Sequence, residues 1–403
     1  MPKKKLLHVI LVVCCIHITT VLFAQNDSIG KEEVDAYDLI GHISHQFDNH
    51  HHDSVLTKSG KYHFPILPVL GYSLATGVVA GLATSVAFYT TESKEANVSD
   101  ILTQLIYTEK NQVIFTIQPV IWTKDNKYLI KADYIYLNYP TQTFGLGTRT
   151  TTNDINYIDY SKIRVYQSVL REVIPDFYLG VGYNLDYHWN ITQTGSADEN
   201  SRSTYTSYGY TPKSVSSGFT LNFLYDNRRN SINPKNGFYL NTVYRQNERF
   251  LGSDENWKSL ILDVRKYFTL PGKAKNVLAF WSYNNFTLDG KPPYLDLPAT
   301  GLDEYGNTGR GYIQGRYRGR NMKDLESEFR FRVTKNGLLG GAVFVNAQNF
   351  GNRPESFFVN VIPGGGVGLR IKVHKHTDTN LCIDYGFGTD GSNGLFLNLN
   401  EVF

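Results

Sequence analysis

The sequence predicts an all-β chain, one sixteen-stranded antiparallel transmembrane β-barrel. Three observations carry this. Polar and apolar residues alternate with period two, segment after segment, from Phe64 to Phe403. Aromatic residues make up 14% of the 403 residues, with 28 Tyr and 23 Phe beside 35 Gly. Beyond the N-terminal run no stretch approaches the roughly 18 uninterrupted apolar residues that a spanning helix needs. A wall in which only alternate residues meet lipid requires such a half-apolar, Tyr-rich makeup. A pair of soluble sandwiches, the other all-β use of this length, does not call for long outward apolar rows.

The elements follow in chain order. Lys3, Lys4 and Lys5 precede an apolar run from Leu6 to Phe23, and Ala24 before Gln25 fits a signal-peptidase cut, so residues 1–24 read as an export signal. Cys14 and Cys15 lie inside it, and Val13 is a poor lipoprotein context. Cys382 is then alone in the exported part, which leaves no disulfide to form within it. Residues 25–63 read as a periplasmic linker, where Val34, Tyr37, Ile40, Ile43 and Phe47 recur at helical spacing and predict one short amphipathic helix. His42, His45, His50, His51 and His52 crowd this linker, but no cysteine or regular second pair accompanies them, so no metal and no cofactor are expected.

Residues 64–403 form the predicted barrel. In Phe177 to Trp189, Leu179, Val181, Tyr183 and Leu185 share one face, while Gly180, Gly182, Asn184, Asp186 and His188 share the other. Trp257 to Phe268 sets Leu260, Leu262 and Val264 against Ser259, Asp263 and Arg265, and Tyr128 to Leu137 sets Ile130 and Tyr134 against Lys131 and Asp133. Rows of that length suit tilted membrane strands, with polar residues toward a lumen. Short connections at Ala75 to Gly77, Glu109 to Gln112, Lys124 to Lys127, Pro175-Asp176 and Asn336-Gly337 are expected on the periplasmic side. Longer loops near Thr91 to Asp100, Thr141 to Asn156, Thr192 to Ser214 and Asp289 to Gln314 are expected outside, which places the protein in the outer membrane among its lipids. In the final strand Leu395, Leu397, Leu399 and Phe403 are expected to face lipid and to serve as the ending that the barrel-assembly machinery recognises by strand pairing. A net charge of +3 is too small to imply a nucleic-acid partner.

The stretch from Arg310 to Val333 joins a loop rich in Gly, Tyr and Arg to a strand with Leu325, Phe329, Phe331 and Val333 on one face and Glu326, Glu328, Arg330 and Arg332 on the other. With the motif Asp226, Arg228, Pro234 and Gly237 upstream, and a Gly-Gly-Ala-Val-Phe-Val-Asn strand ending at Asn346 downstream, residues 64–403 resemble the barrel of the outer-membrane assembly factor superfamily, the BamA/TamA and bacterial surface antigen group. The resemblance implies a loop folded into the lumen that presents an Arg-Gly pair, taken as Arg318 and Gly319, to an acidic strand position, Glu328, with Glu326 sharing it and Asn346 on the next strand. An Arg fork on a shielded carboxylate is a strong, directional pair. A solvated basic loop of Arg316, Arg318 and Arg320 is the plainer reading. The chain departs from the family pattern where Arg320 stands in place of an aromatic residue after Arg-Gly, and where Asn346 stands in place of an acid. Residues 25–63 are too short for the POTRA domains that receive clients in members that insert or secrete proteins, so the chain reads as a short member lacking them.

The resemblance implies assistance in inserting, translocating or displaying a protein or lipid client, together with a protein client or periplasmic partner. A porin-like conduit or a structural barrel is the alternative, since Lys131, Asp133, Asp263 and Arg265 would suit a hydrated lumen. Catalysis is not expected. Asp186 and His188 share a face but no nucleophile motif accompanies them, and Arg neighbours would keep both Glu326 and Glu328 ionised.

Overall fold

The alternation closes into a wall. The computed structural model describes residues 34–36, 66–88, 90–91, 97, 99–196, 204–272, 275–352, 359–375 and 378–403. The predicted export signal, most of the predicted linker and its histidines lie outside the described residues. The strands are β1 (Ile66–Ser73), β2 (Gly77–Phe88), β3 (Ser99–Thr108), β4 (Val113–Trp122), β5 (Tyr128–Asn138), β6 (Thr141–Thr143), β7 (Asn156–Ile174), β8 (Phe177–Ser196) and β9 (Ser214–Asp226). They continue as β10 (Gly237–Asn247), β11 (Trp257–Thr269), β12 (Val277–Gly290), β13 (Asn321–Arg332), β14 (Leu339–Gly351), β15 (Ile362–His374), β16 (Thr379–Phe387) and β17 (Asn393–Leu399). Each pairs antiparallel with its sequence neighbour, except that β5 and β6 both run along β7 and make one interrupted wall strand. Seventeen segments therefore build a sixteen-stranded barrel.

Outside, Leu70, Val181, Val345 and Leu399 stand exposed, while Asp133, Asp186, Asp263, Glu326, Glu328 and Arg370 are buried within the lumen wall. An apolar exterior around a charged interior is the pattern of a barrel that spans a membrane by its strands. An even strand number puts both ends of the wall on one side, the periplasmic one.

That parity corrects the expected placement of the first turns. Residues 74–76 and 109–112 lie at the same end as residues 291–320, while the end of β2 at Phe88 and the start of β3 at Ser99 lie at the periplasmic end. Each crossing reverses the chain, so strand parity decides the side and loop length does not.

At 19 and 20 residues, β7 and β8 exceed the roughly 9–11 that span a bilayer. They carry the wall outward. There Ile158, Ile191, Tyr205, Tyr294 and Leu297 form an apolar cluster that joins the short helix Thr204–Gly209 to the base of residues 291–320. β1 and β17 are short and lie side by side, with no ladder joining them among the described residues.

The terminal strand also departs from expectation. Leu399 is exposed, but Asn400 takes a left-handed φ of 79° and ends the alternation with the strand. Residues 401–403 turn inward. Phe403 is buried with its ring 5.2 Å from Trp281, and Arg330 Nη2 donates to its carbonyl at 2.8 Å. The expectation that Phe403 faces lipid is overturned, because that face parity holds only while the strand continues.

Candidate functional site: a lumen loop held on a charged wall

Residues 291–320 descend into the barrel and return. The two limbs bond to each other, with Thr300 N donating to Tyr317 O at 3.0 Å and Gly315 N to Thr300 O at 2.8 Å. At the centre of the lumen sits Arg310, 1% exposed. Its Nη2 donates to Glu326 Oε1 and, at 2.5 Å, to Glu328 Oε2, and its Nη1 donates to Asp384 Oδ2 at 2.5 Å. Its guanidinium carbon lies 3.7 Å from the centroid of the Phe344 ring.

The strands place these groups for local reasons. Glu326 and Glu328 are two apart on β13 and so share its lumen face, and Phe344 stands opposite Glu328 in the β13–β14 register. Two further arginines complete the network. Arg330 Nε donates to Glu328 Oε1 at 2.6 Å, while Arg370 reaches Asp384 Oδ1 at 2.5 Å and Glu401 Oε2 at 2.9 Å. Burial by itself lowers the Arg310 pKa, but Glu326, Glu328 and Asp384 outweigh it and raise that pKa above the ordinary arginine value.

The two residues after Arg310 fit the same seat. Gly311 has φ 111°, and a Cβ built there would lie 2.6 Å from the Phe387 carbonyl oxygen, so only glycine lets the loop touch β16. Tyr312 is buried, donates to Pro363 O at 2.5 Å and accepts from Thr389 N at 2.8 Å. Asn346 Nδ2 donates to the Arg310 carbonyl at 2.8 Å, so Asn346 holds the loop through its backbone.

Arg318 does not make the expected pair with Glu328. It is buried at the base of the loop, where Nη1 donates to the carbonyls of Tyr294 and Leu297, both at 3.0 Å, and its own carbonyl accepts from Gly147 N at 2.7 Å. Gly319 N donates to Pro298 O at 3.2 Å. The reason is depth. Arg318 precedes β13 by a few residues, whereas Glu328 lies seven residues into that strand, about 23 Å along it. Only the part of the loop that has descended reaches that level, and there the chain carries Arg310. The missed signal was the aromatic residue after Arg-Gly: Arg310-Gly311-Tyr312 has it, and Arg318-Gly319-Arg320 does not.

The upstream motif is a brace for a turn. Arg228 forks onto Asp226 at 2.8 Å from both Nε and Nη2 and covers the Tyr239 ring at 4.2 Å. Gly237, with φ 114°, packs against the Arg228 backbone. Pro234 lies between Asn233 and Lys235, which reach across the periplasmic mouth to Asp378, Asn233 Nδ2 donating to its carbonyl at 3.1 Å and Lys235 pairing with its carboxylate at 2.5 Å.

On the β5 to β12 side the loop leaves a chamber of about 280 Å³, lined by Lys131, Asp133, Arg164, Asp263 and Arg265 among others. At its outer end His188 Nδ1 lies 3.5 Å from Ser214 Oγ and 3.8 Å from Asp296 Oδ1. Both partners address the same ring nitrogen, so this Ser, His and Asp do not form a relay. Asp186 is held by Lys162 and Arg245, each at 2.7 Å.

No family model matches the sequence, nor does any curated protein. Among solved structures the fold is similar to BamA from Haemophilus ducreyi lacking POTRA domains 1–3, at 13% identity and TM-score 0.56, covering 84% of this chain and 70% of that one. It is similar to CdiB from Acinetobacter baumannii at 11% identity and TM-score 0.52, covering 84% and 60%, and to CdiB from Escherichia coli at 8% identity and TM-score 0.55, covering 83% and 61%. The chain thus spans less than two thirds of either CdiB. With a lipid-facing wall, a charged lumen and a loop seated inside it, this chain has the fold of the outer-membrane barrels that BamA and CdiB build.

Proposed function

We propose that this chain assists the insertion, translocation or surface display of a protein or lipid client in the outer membrane, with residues 291–320 as a resident plug and Arg310 as its lock. One observation carries the reading: a buried arginine ties the loop to β13 and β16 beside an edge pair, β1 and β17, that no ladder closes among the described residues. A wall that can part at one seam needs its lumen filled by something other than that seam, and a loop locked to β13 and β16 meets the need. The chamber of about 280 Å³ favours a second reading, a porin-like conduit. Photo-crosslinking in intact cells from Leu70 and Leu399 separates the two. Capture of a nascent outer-membrane protein or a lipid client there supports assembly. Absence of capture, with steady single-channel conductance in a planar bilayer, favours the conduit.

A further inference from the structure

The segment that follows β17 runs from the edge of the wall into the lumen and touches both the lock and the loop. Asn400 is still tied to β16, its N donating to Asn380 O at 2.8 Å and its carbonyl accepting from Cys382 Sγ at 3.1 Å. Glu401 meets the turn between β9 and β10, its N donating to Ile232 O at 3.2 Å. Its carboxylate accepts from Asn380 Nδ2 at 2.7 Å and from Arg370 Nε at 2.9 Å, and lies 3.4 Å from Arg330 Nε. Val402 O accepts at 2.8 Å from Nδ2 of Asn307, a loop residue just ahead of Arg310. Phe403 completes the set on Arg330 and Trp281.

Two of these partners also belong to the lock. Arg330 and Arg370 both bond Glu328, at 2.6 and 3.3 Å, and Glu328 is one of the carboxylates that hold Arg310. Glu401 therefore shares two cations with Glu328. With Glu401 withdrawn, Arg330 and Arg370 would draw Glu328 and Asp384 toward themselves and away from Arg310, since a buried cation left short of an anion is costly. The loop would lose its Asn307 contact in the same movement. The reach of the chain sets the condition. Glu401 follows Leu399, the end of β17, by two residues, so it stays on Arg370 only while that end moves by less than about 7 Å.

We propose that residues 400–403 are a strap that couples the β1–β17 seam to the loop. With β17 seated, Glu401 and Val402 hold the loop down; β17 swinging out of the wall draws the strap away and frees it. The proposal takes its purpose from the assembly reading above, for which it names the device that keeps the lumen filled until the seam parts. Coupling between two sites is reciprocal, so loosening the lock must also loosen β17.

The test is amide hydrogen exchange in β17 together with protease accessibility of residues 291–320, both on the full chain in a neutral detergent. Asn307→Ala removes one half-buried side chain and is expected to raise loop cleavage about fivefold, while heat-modifiable migration stays that of a folded barrel. Glu401→Gln is expected to raise it about tenfold; if that variant does not fold, Asn307→Ala decides. Arg310→Ala is expected to raise exchange in β17 about fivefold, and a run of glycines inserted between Leu399 and Asn400 to abolish that rise. Unchanged loop cleavage in Asn307→Ala overturns the strap. Unchanged β17 exchange in Arg310→Ala, or a rise that survives the glycine insertion, overturns the coupling and leaves residues 400–403 as a brace for the wall. Client capture at Leu70 and Leu399 without this coupling sinks the strap alone. Coupling without capture sinks the assembly reading and leaves the strap standing.

Discussion

Arg310 Nη1 and Asp384 Oδ2 are 2.5 Å apart, and this contact ties a loop inserted between β12 and β13 to a strand 74 residues further along the chain. The same guanidinium reaches Glu326 and Glu328, so one residue of the loop spans two regions of the wall. A double-mutant cycle on Arg310→Ala and Asp384→Asn should give a coupling energy of about 1–3 kcal/mol. Additive effects on thermal unfolding would mean that Asp384 is held by Arg370 alone.

The two loop arginines should differ in weight. Arg310→Ala leaves three buried carboxylates short of a cation and is expected to cost about 3–5 kcal/mol. Arg318→Ala leaves two backbone carbonyls without a donor and should cost about 1–3 kcal/mol. Protease accessibility of residues 291–320 in intact outer membranes, with thermal unfolding of the purified barrel, ranks them. The reverse order would place the lock at Arg318.

Gly311→Ala should unseat the loop where Gly252→Ala does not. Both glycines have positive φ, 111° and 95°, and pay the left-handed penalty of about 1–2 kcal/mol when substituted. A Cβ at Gly252 meets open space, whereas one at Gly311 meets the Phe387 backbone. Loop proteolysis rising in Gly311→Ala alone is the expected result.

Phe403→Ala should act from inside the barrel. Its ring stacks on Trp281 at 5.2 Å and lies 6.4 Å from Tyr267, so truncation is expected to cost about 3 kcal/mol and to change Trp281 fluorescence. Leu399→Ala, on the exposed face, should leave that fluorescence unchanged. Equal fluorescence in both variants would return Phe403 to the lipid side.

Asp296 gives the loop base a dependence on pH. Burial first, then the Asp186 carboxylate, raises its pKa from 3.8 to about 6, and Ser216 Oγ donates to it at 2.6 Å. The protonated form is the favoured one. Its stabilisation is therefore fully present below 3.8 and is lost as pH rises through about 6. Asp296→Asn, which mimics that form, should match the parent below this window and exceed it in thermal stability above. A difference constant across pH 3.8 to about 6 would show that Asp296 does not titrate there.

The wall was legible in the sequence, because the direction of a side chain on a strand depends only on its parity. Glu326, Glu328, Asp263 and Arg265 turned out to face the lumen and Leu325 and Phe268 the outside, as their alternation predicts. The Asp226, Arg228, Pro234 and Gly237 motif stood in the sequence only as part of a resemblance, and that Arg228 forks onto Asp226 as a brace for its turn is visible only in the structure. Arg310 was not legible, because the depth to which a loop descends is set by the limbs that pair within it and by the wall it meets, not by its residue count.

What the sequence by itself determined is therefore local and periodic: an antiparallel barrel, which face of each strand meets lipid, and a Gly- and Arg-rich loop beside an acidic strand. The tertiary structure alone decided which arginine fills the carboxylate site, how Asp384, Arg370 and Glu401 join it, and where Phe403 lies. The physical reason is that one left-handed residue, Asn400, ends the strand and turns residues 401–403 inward, and that charges distant in sequence select one another only once the closed sheet has brought them within hydrogen-bond reach in a space shielded from water.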